Sequence, residues 1–259
     1  MFTYIKALAG LLLPRRCALC GSAGISTEDV LCPSCREELP LTWFWQRRRN
    51  PMSDALNAAI EQRRALSGDD YYEPYAYACA LFFYKGPYRE ITKQLKYNGI
   101  RRPAMKLAEE LAEVLAATEH LADVDVVVPV PLHWTRRLVR GYNQAEVIAA
   151  VLAEGLGADV RSDLVRRSRR TRSQAVTSTA EKASNVSGAF AADVSGLLSG
   201  PDGDAVLPRH ILLVDDVFTT GSTLAECHRA LRRSLVSALG TKKAATVKIS
   251  VATLAFTGE

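Results

Sequence analysis

The chain has 259 residues, of which 48% are hydrophobic and 24% are charged, a composition typical of a globular protein with one or two domains. Its formal net charge of +5 suits a phosphorylated ligand or a nucleic acid without requiring either. No run reaches the roughly 18 to 20 apolar residues of a membrane helix, and the apolar residues 7–13 stop at Pro14. We therefore expect no integral membrane segment, no signal peptide and a cytoplasmic protein.

Four of the six cysteines lie near the amino end in two C-x-x-C pairs, Cys17 with Cys20 and Cys32 with Cys35. Four thiolates at this spacing can surround Zn²⁺ as a tetrahedron and leave no open position. The pattern predicts a first unit over 1–40, made of an amino-terminal helix and a structural zinc ribbon. Redox cycling is the less favoured alternative, because neither pair follows a strand at the start of a helix. The other two cysteines lie in apolar or helical runs and are expected to be buried.

Residues 41–74 lose the regular pattern, and we interpret them as a linker with one short helix over 53–65, capped by Ser53. An aromatic run at 43–45 stands next to three arginines at 47–49. Aromatic rings beside arginines can stack on the bases of single-stranded nucleic acid. They can also cover the seam between two domains, and the sequence leaves both interpretations open.

From residue 75 onward, apolar runs alternate with helical patterns. Strands are expected at 76–84, 124–130, 160–165, 211–217 and 245–256, and helices at 87–97, 103–118, 143–156 and 222–239. The valine run at 124–130 is typical of a strand buried on both faces of a parallel sheet. The fold class predicted for 75–259 is therefore α/β, a mainly parallel sheet flanked by helices.

Two adjacent carboxylates, Asp215 and Asp216, stand at the end of the strand expected at 211–217. The loop and helix start that follow contain Thr219, Thr220, Gly221, Ser222 and Thr223. Ligands of open α/β sheets bind beyond the carboxyl ends of the strands, and hydroxyls and amides at a helix start bind phosphate. Carboxylates accept hydrogen bonds from vicinal hydroxyls, so the pattern predicts a site for a ribose with a 5′-phosphate. The alternative is a plain helix cap at Ser222.

At these residues the sequence resembles a known family. The stretch ILLVDDVFTTGST is similar to the phosphoribosyl-pyrophosphate (PRPP) signature of type I phosphoribosyltransferases. More narrowly, the order CALC, LCPSC, YKGPYREITKQLKYNG, VVVPVPLHWTRRLVRGYNQAE and RRSRRTRSQAVTSTAEKASNVSGAF resembles the ComF family. Members of that family join an amino-terminal zinc ribbon to a phosphoribosyltransferase domain. The resemblance covers nearly the whole chain except the linker, and it implies binding of PRPP or ribose 5-phosphate with Mg²⁺.

The resemblance also implies roles for particular residues. Asp215 and Asp216 would hold the ribose 2′ and 3′ hydroxyls as the catalytic pair, and residues 219–223 would hold the 5′-phosphate. The residues expected to bind pyrophosphate are Pro131, Leu132 and His133. Residues 166–179 would form a mobile loop that closes over the site.

Two basic segments support this expectation from the residues themselves. Arg136, Arg137 and Arg140 follow the valine strand, and five more arginines, with Arg172 the last of them, crowd 166–172. Arginines and Mg²⁺ can neutralise the charge that builds up on departing pyrophosphate, which lowers the barrier. We therefore count Arg140 and Arg172 among the ligand-binding residues; a solvated basic loop, or one that faces nucleic-acid phosphates, is the alternative.

Five further residues are candidates for the site or for a helix end. His133 can supply a proton beside the pyrophosphate or do no chemistry. Asn143 is expected to cap the next helix, and Gln144 can point into the site. Lys96 and Tyr97 can belong to a hood over the acceptor or end an ordinary helix. No acceptor-binding hood is recognisable in the sequence.

Two functions follow. The protein is either a Mg²⁺-dependent phosphoribosyltransferase with an unknown acceptor, or a non-catalytic PRPP sensor that engages single-stranded DNA or a DNA-uptake helicase. The second rests on the missing hood and on a link to DNA uptake in competent bacteria, which the resemblance implies. A zinc-stabilised scaffold with a relic ligand pocket is a third option.

Overall fold

A computed structural model describes residues 15–26, 28–98, 100–167, 188–198 and 207–258, without the side chains of 97 and 98. The helices are α1 (Pro33–Glu37), α2 (Pro51–Ser67), α3 (Arg89–Lys93), α4 (Arg102–Ala116), α5 (Trp134–Arg140), α6 (Gln144–Leu156), α7 (Ser222–Leu239) and α8 (Thr241–Ala244). The strands are β1 (Ala78–Phe83), β2 (Val126–Pro129), β3 (Asp159–Val160), β4 (Val165–Arg167), β5 (Phe190–Ala192), β6 (His210–Phe218) and β7 (Lys248–Phe256). The predicted amino-terminal helix lies outside the described residues.

Five of these strands form one parallel sheet in the order β1–β7–β6–β2–β3. The central strands β6 and β7 have nine residues each and are buried along almost their whole length. Helices α4 and α6 pack on each other, as do α2 and α7. A parallel sheet flanked by helices confirms the predicted fold class. None of the helices in the described ranges is long and apolar enough to cross a bilayer.

The register of β2 against β6 sets the position of the site. Pro129 at the end of β2 pairs with Val214, and the Val130 amide donates to the Val214 carbonyl at 2.8 Å. Strand β6 continues to Phe218 against β7. The residues that follow β2 therefore start beside the carboxylates near the carboxyl end of β6, as expected where parallel strands finish at one edge.

The segment predicted as a linker packs on the main core. Helix α2 begins at Pro51, and its N-cap is Asn50, whose side chain accepts a hydrogen bond from the Ser53 amide at 2.9 Å. The predicted cap at Ser53 is wrong, because proline is favoured at the first helical position and Asn50 precedes it. Leu56 and Ile60 of this helix are buried in the core. The domain boundaries at 40 and 74 stay a prediction.

The aromatic run beside the arginines divides between core and solvent. Phe44 and Trp45 are buried, and the Phe44 ring lies 5.7 Å from Phe83 and 5.5 Å from Phe256, measured between ring centroids. Trp43 is 52% exposed. Two of the three rings thus pack into the main core, and a seam between two domains stays a prediction.

Two of the expected strands differ from the structure. The strand expected at 160–165 is wrong, because the chain turns after β3 and then forms β4, which pairs antiparallel with β5 in a second sheet. Arg161 stabilises this turn by bonding the Asp163 carboxylate at 2.9 and 2.8 Å. The strand expected from 245 begins only at Lys248, because α8 and the turn after it come first.

Candidate functional site

The four amino-terminal cysteines form one cluster. Their sulfur atoms all lie within 4.8 Å of one another, and the Sγ atoms of Cys20 and Cys32 are 3.6 Å apart. A tetrahedral ion with Zn–S bonds of about 2.3 Å places its sulfurs about 3.8 Å apart, so Cys17, Cys20, Cys32 and Cys35 fit zinc. A closed set of four thiolates makes this zinc site structural, as predicted.

Hydrogen bonds connect the zinc ribbon to the segment that follows β1. The Gln94 side-chain amide donates to the Ala18 carbonyl at 2.9 Å, and the Tyr88 hydroxyl donates to the Cys35 carbonyl at 2.9 Å. Arg36 also pairs with Glu110 of α4. The zinc site therefore supports the turn of π-helix over Gln94–Asn98.

That turn brings Lys96 to the carboxylates. Lys96 Nζ lies 2.8 Å from Asp216 Oδ2, and Asp216 is buried. Burial, the largest single influence, lowers the pKa of Lys96, but the charge and hydrogen bond of Asp216 and the charge of Asp215 together outweigh it, so the pKa of Lys96 is raised. Lys96 therefore contacts one of the two predicted site carboxylates, while its place in a hood over the acceptor, together with Tyr97, stays a prediction.

The neighbouring Asp215 has a different environment. Successive residues of a strand point to opposite faces, and the groups that act electrostatically with Asp215 include Arg167 and Cys227. Burial, followed by the charge of Asp216, raises the pKa of Asp215 to about 7. Asp215 therefore titrates near neutral pH, where the binding of a ligand can change its protonation.

The loop after β6 forms a cradle at the start of an 18-residue helix. Gly221 has φ +70°, and a Cβ there would lie 2.6 Å from the Phe218 ring. Thr220 Oγ1 and Ser222 Oγ are 3.0 Å apart, and no side chain caps α7 at its N-cap, Gly221. The cap interpretation of Ser222 is therefore wrong. The hydroxyls and the first amides of α7 form the kind of helix start that binds anions.

The residues after β2 form a short helix that the sequence did not reveal. His133 is buried and is the N-cap of α5, where its Nδ1 accepts from the Thr135 amide at 3.3 Å. Capping accounts for His133 without proton transfer. Pro131 and Leu132, before it, are partly buried beside the end of β2. Helix α5 was missed because seven residues rich in arginine carry no apolar periodicity.

Asn143 and Gln144 start the next helix. Asn143 Oδ1 accepts from the Ala145 amide at 3.2 Å and its Nδ2 donates to the Val130 carbonyl at 3.0 Å, so the predicted cap is confirmed. Gln144 is 3% exposed and its Oε1 accepts from Arg140 Nη1 at 3.1 Å. Its Nε2 is buried without a hydrogen-bond partner among the described residues. Such a donor costs about 1–3 kcal/mol, which an anionic ligand would offset.

The second basic segment meets the first beside Asp215. Arg166 and Arg167 lie on β4, and the guanidinium carbon of Arg167 lies 5.0 Å from the centroid of the Phe190 ring. Burial and then the charge of Arg136 lower the pKa of Arg167. Arg172 and the rest of the predicted closing loop, 168–179, lie outside the described residues.

Sequence reasoning missed a buried cluster of charges behind the site. Glu226 of α7 accepts from the Gly188 amide at 2.7 Å and pairs with Arg229 at 2.7 Å. It also lies 3.7 Å from Arg63 of α2. The i,i+3 spacing of Glu226 and Arg229 was the available signal. The cluster joins α2 and α7 to Gly188, just before β5.

Asp123, His210 and Ser250 form a hydrogen-bonded chain at the opposite, amino ends of the strands. His210 Nδ1 lies 2.8 Å from Asp123 Oδ1, and its Nε2 lies 2.7 Å from Ser250 Oγ. His210 and Ser250 are buried, so a substrate has no access to the Ser250 hydroxyl. We interpret the chain as a tie between β6, β7 and the loop before β2.

Comparison with known proteins agrees with this architecture. Residues 8–45 match the double zinc ribbon domain family. The DNA utilization protein YhgH of Escherichia coli strain K12 is 30% identical over 226 residues, 86% of each chain, and that of Salmonella typhimurium is 30% identical over 223 residues, 84% of each chain. Competence protein F of Haemophilus influenzae is 34% identical over 116 residues, 45% of this chain and 48% of that protein.

Fold, ribbon and relatives together define the class. The chain is an α/β protein whose parallel sheet carries an amino-terminal zinc ribbon. It belongs to the ComF family.

Proposed function

We propose that this protein binds PRPP, as its Mg²⁺ complex, at the junction of β6 and α7 and transfers the phosphoribosyl group to a small acceptor. The observation that carries the proposal is the junction itself. Asp215 and Asp216 lie near the carboxyl end of β6, and the hydroxyl-rich loop around Gly221 follows Phe218, the last residue of the strand, and opens α7. The acids suit the ribose diol and the helix start suits its 5′-phosphate.

The arrangement after β2 supports a place for pyrophosphate. Gln144 Nε2 is a buried donor that lacks a partner among the described residues, and Arg140 bonds the same side chain. Arg136 and Arg167 approach from two different elements. Donors and cations arranged in advance around a leaving group stabilise the charge that it gains in the transition state.

The reaction is a substitution at C1 of the ribose. The lone pair of an acceptor nitrogen forms a bond to C1 while the bond from C1 to the pyrophosphate oxygen breaks. Pyrophosphate leaves with the electron pair of that bond, and any proton on the acceptor nitrogen passes to water. The pyrophosphate oxygens carry Mg²⁺ into the site as part of the substrate, where it neutralises departing charge.

The names of the relatives support a role in the handling of DNA for the activity proposed here. The Escherichia coli relative is named for DNA utilization and the Haemophilus influenzae relative for competence. We propose that this chain acts in the cytoplasm in the same process, in the uptake of DNA or the use of its parts.

Release of pyrophosphate tests the transfer. Zinc-loaded protein incubated with PRPP, Mg²⁺ and a panel of nitrogen acceptors is expected to release pyrophosphate, and the Asp215→Asn/Asp216→Asn variant is not. Gln144→Met keeps the side-chain volume and removes the donor, so a loss of about a hundredfold in rate is expected. Equal rates in wild type and both variants would overturn the proposal.

A second candidate, a non-catalytic protein that binds single-stranded DNA, is favoured by the surface of α5. Trp134 is 65% exposed, Leu138 75% and Val139 88%. Arg137 on the same helix is also exposed, although it pairs with Glu146 at 3.2 Å. An exposed tryptophan beside arginines can stack on a base while the cations hold phosphates.

Fluorescence anisotropy with labelled oligothymidine at increasing salt tests this candidate. Binding that weakens steeply with salt and is reduced by Trp134→Ala would support it, because each phosphate contact releases counterions. Leu66→Ala removes an equally exposed apolar side chain far along the chain from α5 and serves as the control. Absence of binding at low salt would exclude it.

A further inference from the structure

A cavity of about 430 Å³ opens at the carboxyl ends of β1 and β7. Small-molecule sites typically measure about 300–1,000 Å³, so this volume suits a single ring with its substituents. The residues that line it include Phe83, Tyr84, Lys85, Arg89, Phe256 and Thr257. None of them belongs to the ribose and phosphate site described above.

The cavity adjoins that site through two contacts. The Thr257 amide donates to the Phe218 carbonyl at 3.0 Å, and the Thr257 hydroxyl donates to the Thr219 carbonyl at 3.4 Å. The wall of the cavity is therefore bonded to the first residue of the phosphate loop. Tyr84, which also lines the cavity, lies near enough to Lys96 to have a small influence on its pKa, and Lys96 pairs with Asp216.

The walls combine aromatic rings with positive charge. Lys85 Nζ lies 5.3 Å from the centroid of the Phe83 ring, and the guanidinium carbon of Arg89 lies 5.5 Å from that of Tyr84. Arg89 Nε also donates to the Tyr84 carbonyl at 3.2 Å. Both residues are exposed, and these contacts keep their cations beside the aromatic rings of the cavity.

Neither cation is matched by an acid. Among the described residues, Lys85 and Arg89 form no ion pair, whereas the nearby Lys93 is paired with Glu90 at 2.6 Å. Two unpaired cations against a ring-lined cavity recognise a flat molecule with an anionic group. A neutral ring would leave both charges with water alone.

We propose that this cavity binds the acceptor, and that the acceptor is a nitrogen-containing aromatic carboxylate. The rings of Phe83, Tyr84 and Phe256 contact its plane, and Lys85 and Arg89 bind its carboxylate. The inference rests on the proposed function for the identity of the ligand as an acceptor, while the binding of a carboxylate stands on the cavity alone.

Matched pairs of probes test the binding of a carboxylate separately from the proposed function. Nicotinate with nicotinamide, and anthranilate with 2-aminobenzamide, share a ring and differ in the carboxylate. Binding is measured by saturation-transfer NMR on the full zinc-loaded chain, with and without PRPP and Mg²⁺, and PRPP is titrated separately by calorimetry. We expect the acid of at least one pair to bind about tenfold more tightly than its amide, the effect of one charge-assisted hydrogen bond.

Variants connect the preference with the cavity. Lys85→Gln/Arg89→Gln is expected to remove the preference for the acid, and Lys93→Gln, which removes a paired lysine outside the cavity, is expected to keep it. If PRPP binds but acid and amide bind equally, or the double variant keeps the preference, the inference is overturned while the proposed function stands. If PRPP does not bind but the preference appears and is lost in the double variant, the proposed function fails and the carboxylate site remains.

Discussion

Lys96 Nζ lies 2.8 Å from Asp216 Oδ2, so the second carboxylate of the predicted ribose site is paired with a cation of its own chain. Lys96 belongs to the π-helical turn that the zinc ribbon supports through Gln94. A ribose diol that bonds to Asp216 would share this carboxylate with Lys96 or displace the lysine. The ribbon, the turn and the site are thus linked by consecutive contacts.

Lys96→Met should lower the free energy of unfolding by about 1–3 kcal/mol, between the values for exposed and buried pairs, because it leaves a buried carboxylate without its cation. Urea denaturation followed by circular dichroism measures this change. Lys93→Met is the matched control, since Lys93 and Glu90 are both half-exposed. Equal effects of the two substitutions would show that the pair at Asp216 contributes no more than a surface pair.

The pKa of Asp215 predicts how ligand binding depends on pH. Because the ionised carboxylate accepts hydrogen bonds from the ribose hydroxyls and its pKa is raised to about 7, PRPP should bind about tenfold more tightly at pH 8 than at pH 6. Calorimetry at both values measures the difference. Asp215→Asn is the control, because titration of the PRPP phosphates affects its affinity and that of wild type in the same way. If the affinity of the variant depends on pH as that of wild type does, Asp215 does not cause the dependence.

In the absence of ligand, the free energy of unfolding should fall as the pH rises, whereas the affinity for PRPP rises. The folded chain keeps a proton on Asp215 that the unfolded chain loses near its ordinary pKa of 3.8. The stabilising contribution is therefore complete below pH 4 and is lost as the pH rises through about 7. In Asp215→Asn, the free energy of unfolding should not show this decline with pH. Urea denaturation of wild type and variant from pH 4 to pH 8 measures the difference.

The cysteine cluster predicts one zinc ion per chain. The two remaining cysteines, Cys79 and Cys227, are buried apart from the cluster, as the sequence predicted. Cys32→Ser should lose zinc and, with it, the docking of the ribbon, whereas Cys227→Ala should keep a full equivalent. Elemental analysis of the purified chains measures the stoichiometry, and a second bound zinc would show that ligands beyond these four cysteines take part.

Gly221 offers a test of the phosphate cradle. Gly221→Ala imposes a left-handed φ, at a cost of about 1–2 kcal/mol, and places a Cβ 2.6 Å from the Phe218 ring. The control is Gly157→Ala, because Gly157 has φ +65° with no atom within 4 Å of the added Cβ. Both variants should unfold more easily in urea, but only Gly221→Ala should weaken PRPP binding in calorimetry. Equal PRPP affinity in the two variants would show that the loop around Gly221 does not bind PRPP.

Much of the fold could be read from the sequence because its signals are local. The valine run, the strand ending in Asp215 and Asp216, and the helix capped by Asn143 all follow from periodicity and capping rules. Helix α5 was missed because it is short and shows no apolar periodicity. The start of α2 was misplaced because Ser53 and Asn50 are both good caps, and the choice depends on Pro51.

The site was harder to predict because its contacts are distant in the chain. Lys96 and Asp216 are separated by 120 positions, and the cavity joins residues after β1 to residues after β7. No local pattern encodes such pairs. The aromatic run at 43–45 shows the same limit, since only packing decided that Phe44 is buried and Trp43 exposed.

Calorimetric titration of the zinc-loaded chain with PRPP and Mg²⁺ tests the central claim most directly. Saturable binding of one PRPP per chain is expected, and the affinity should fall at least about a hundredfold in Asp215→Asn/Asp216→Asn, since each lost hydrogen bond to a charged group is worth about 1.5–3 kcal/mol. The absence of binding by folded wild-type protein, or equal binding by the double variant, would contradict the account.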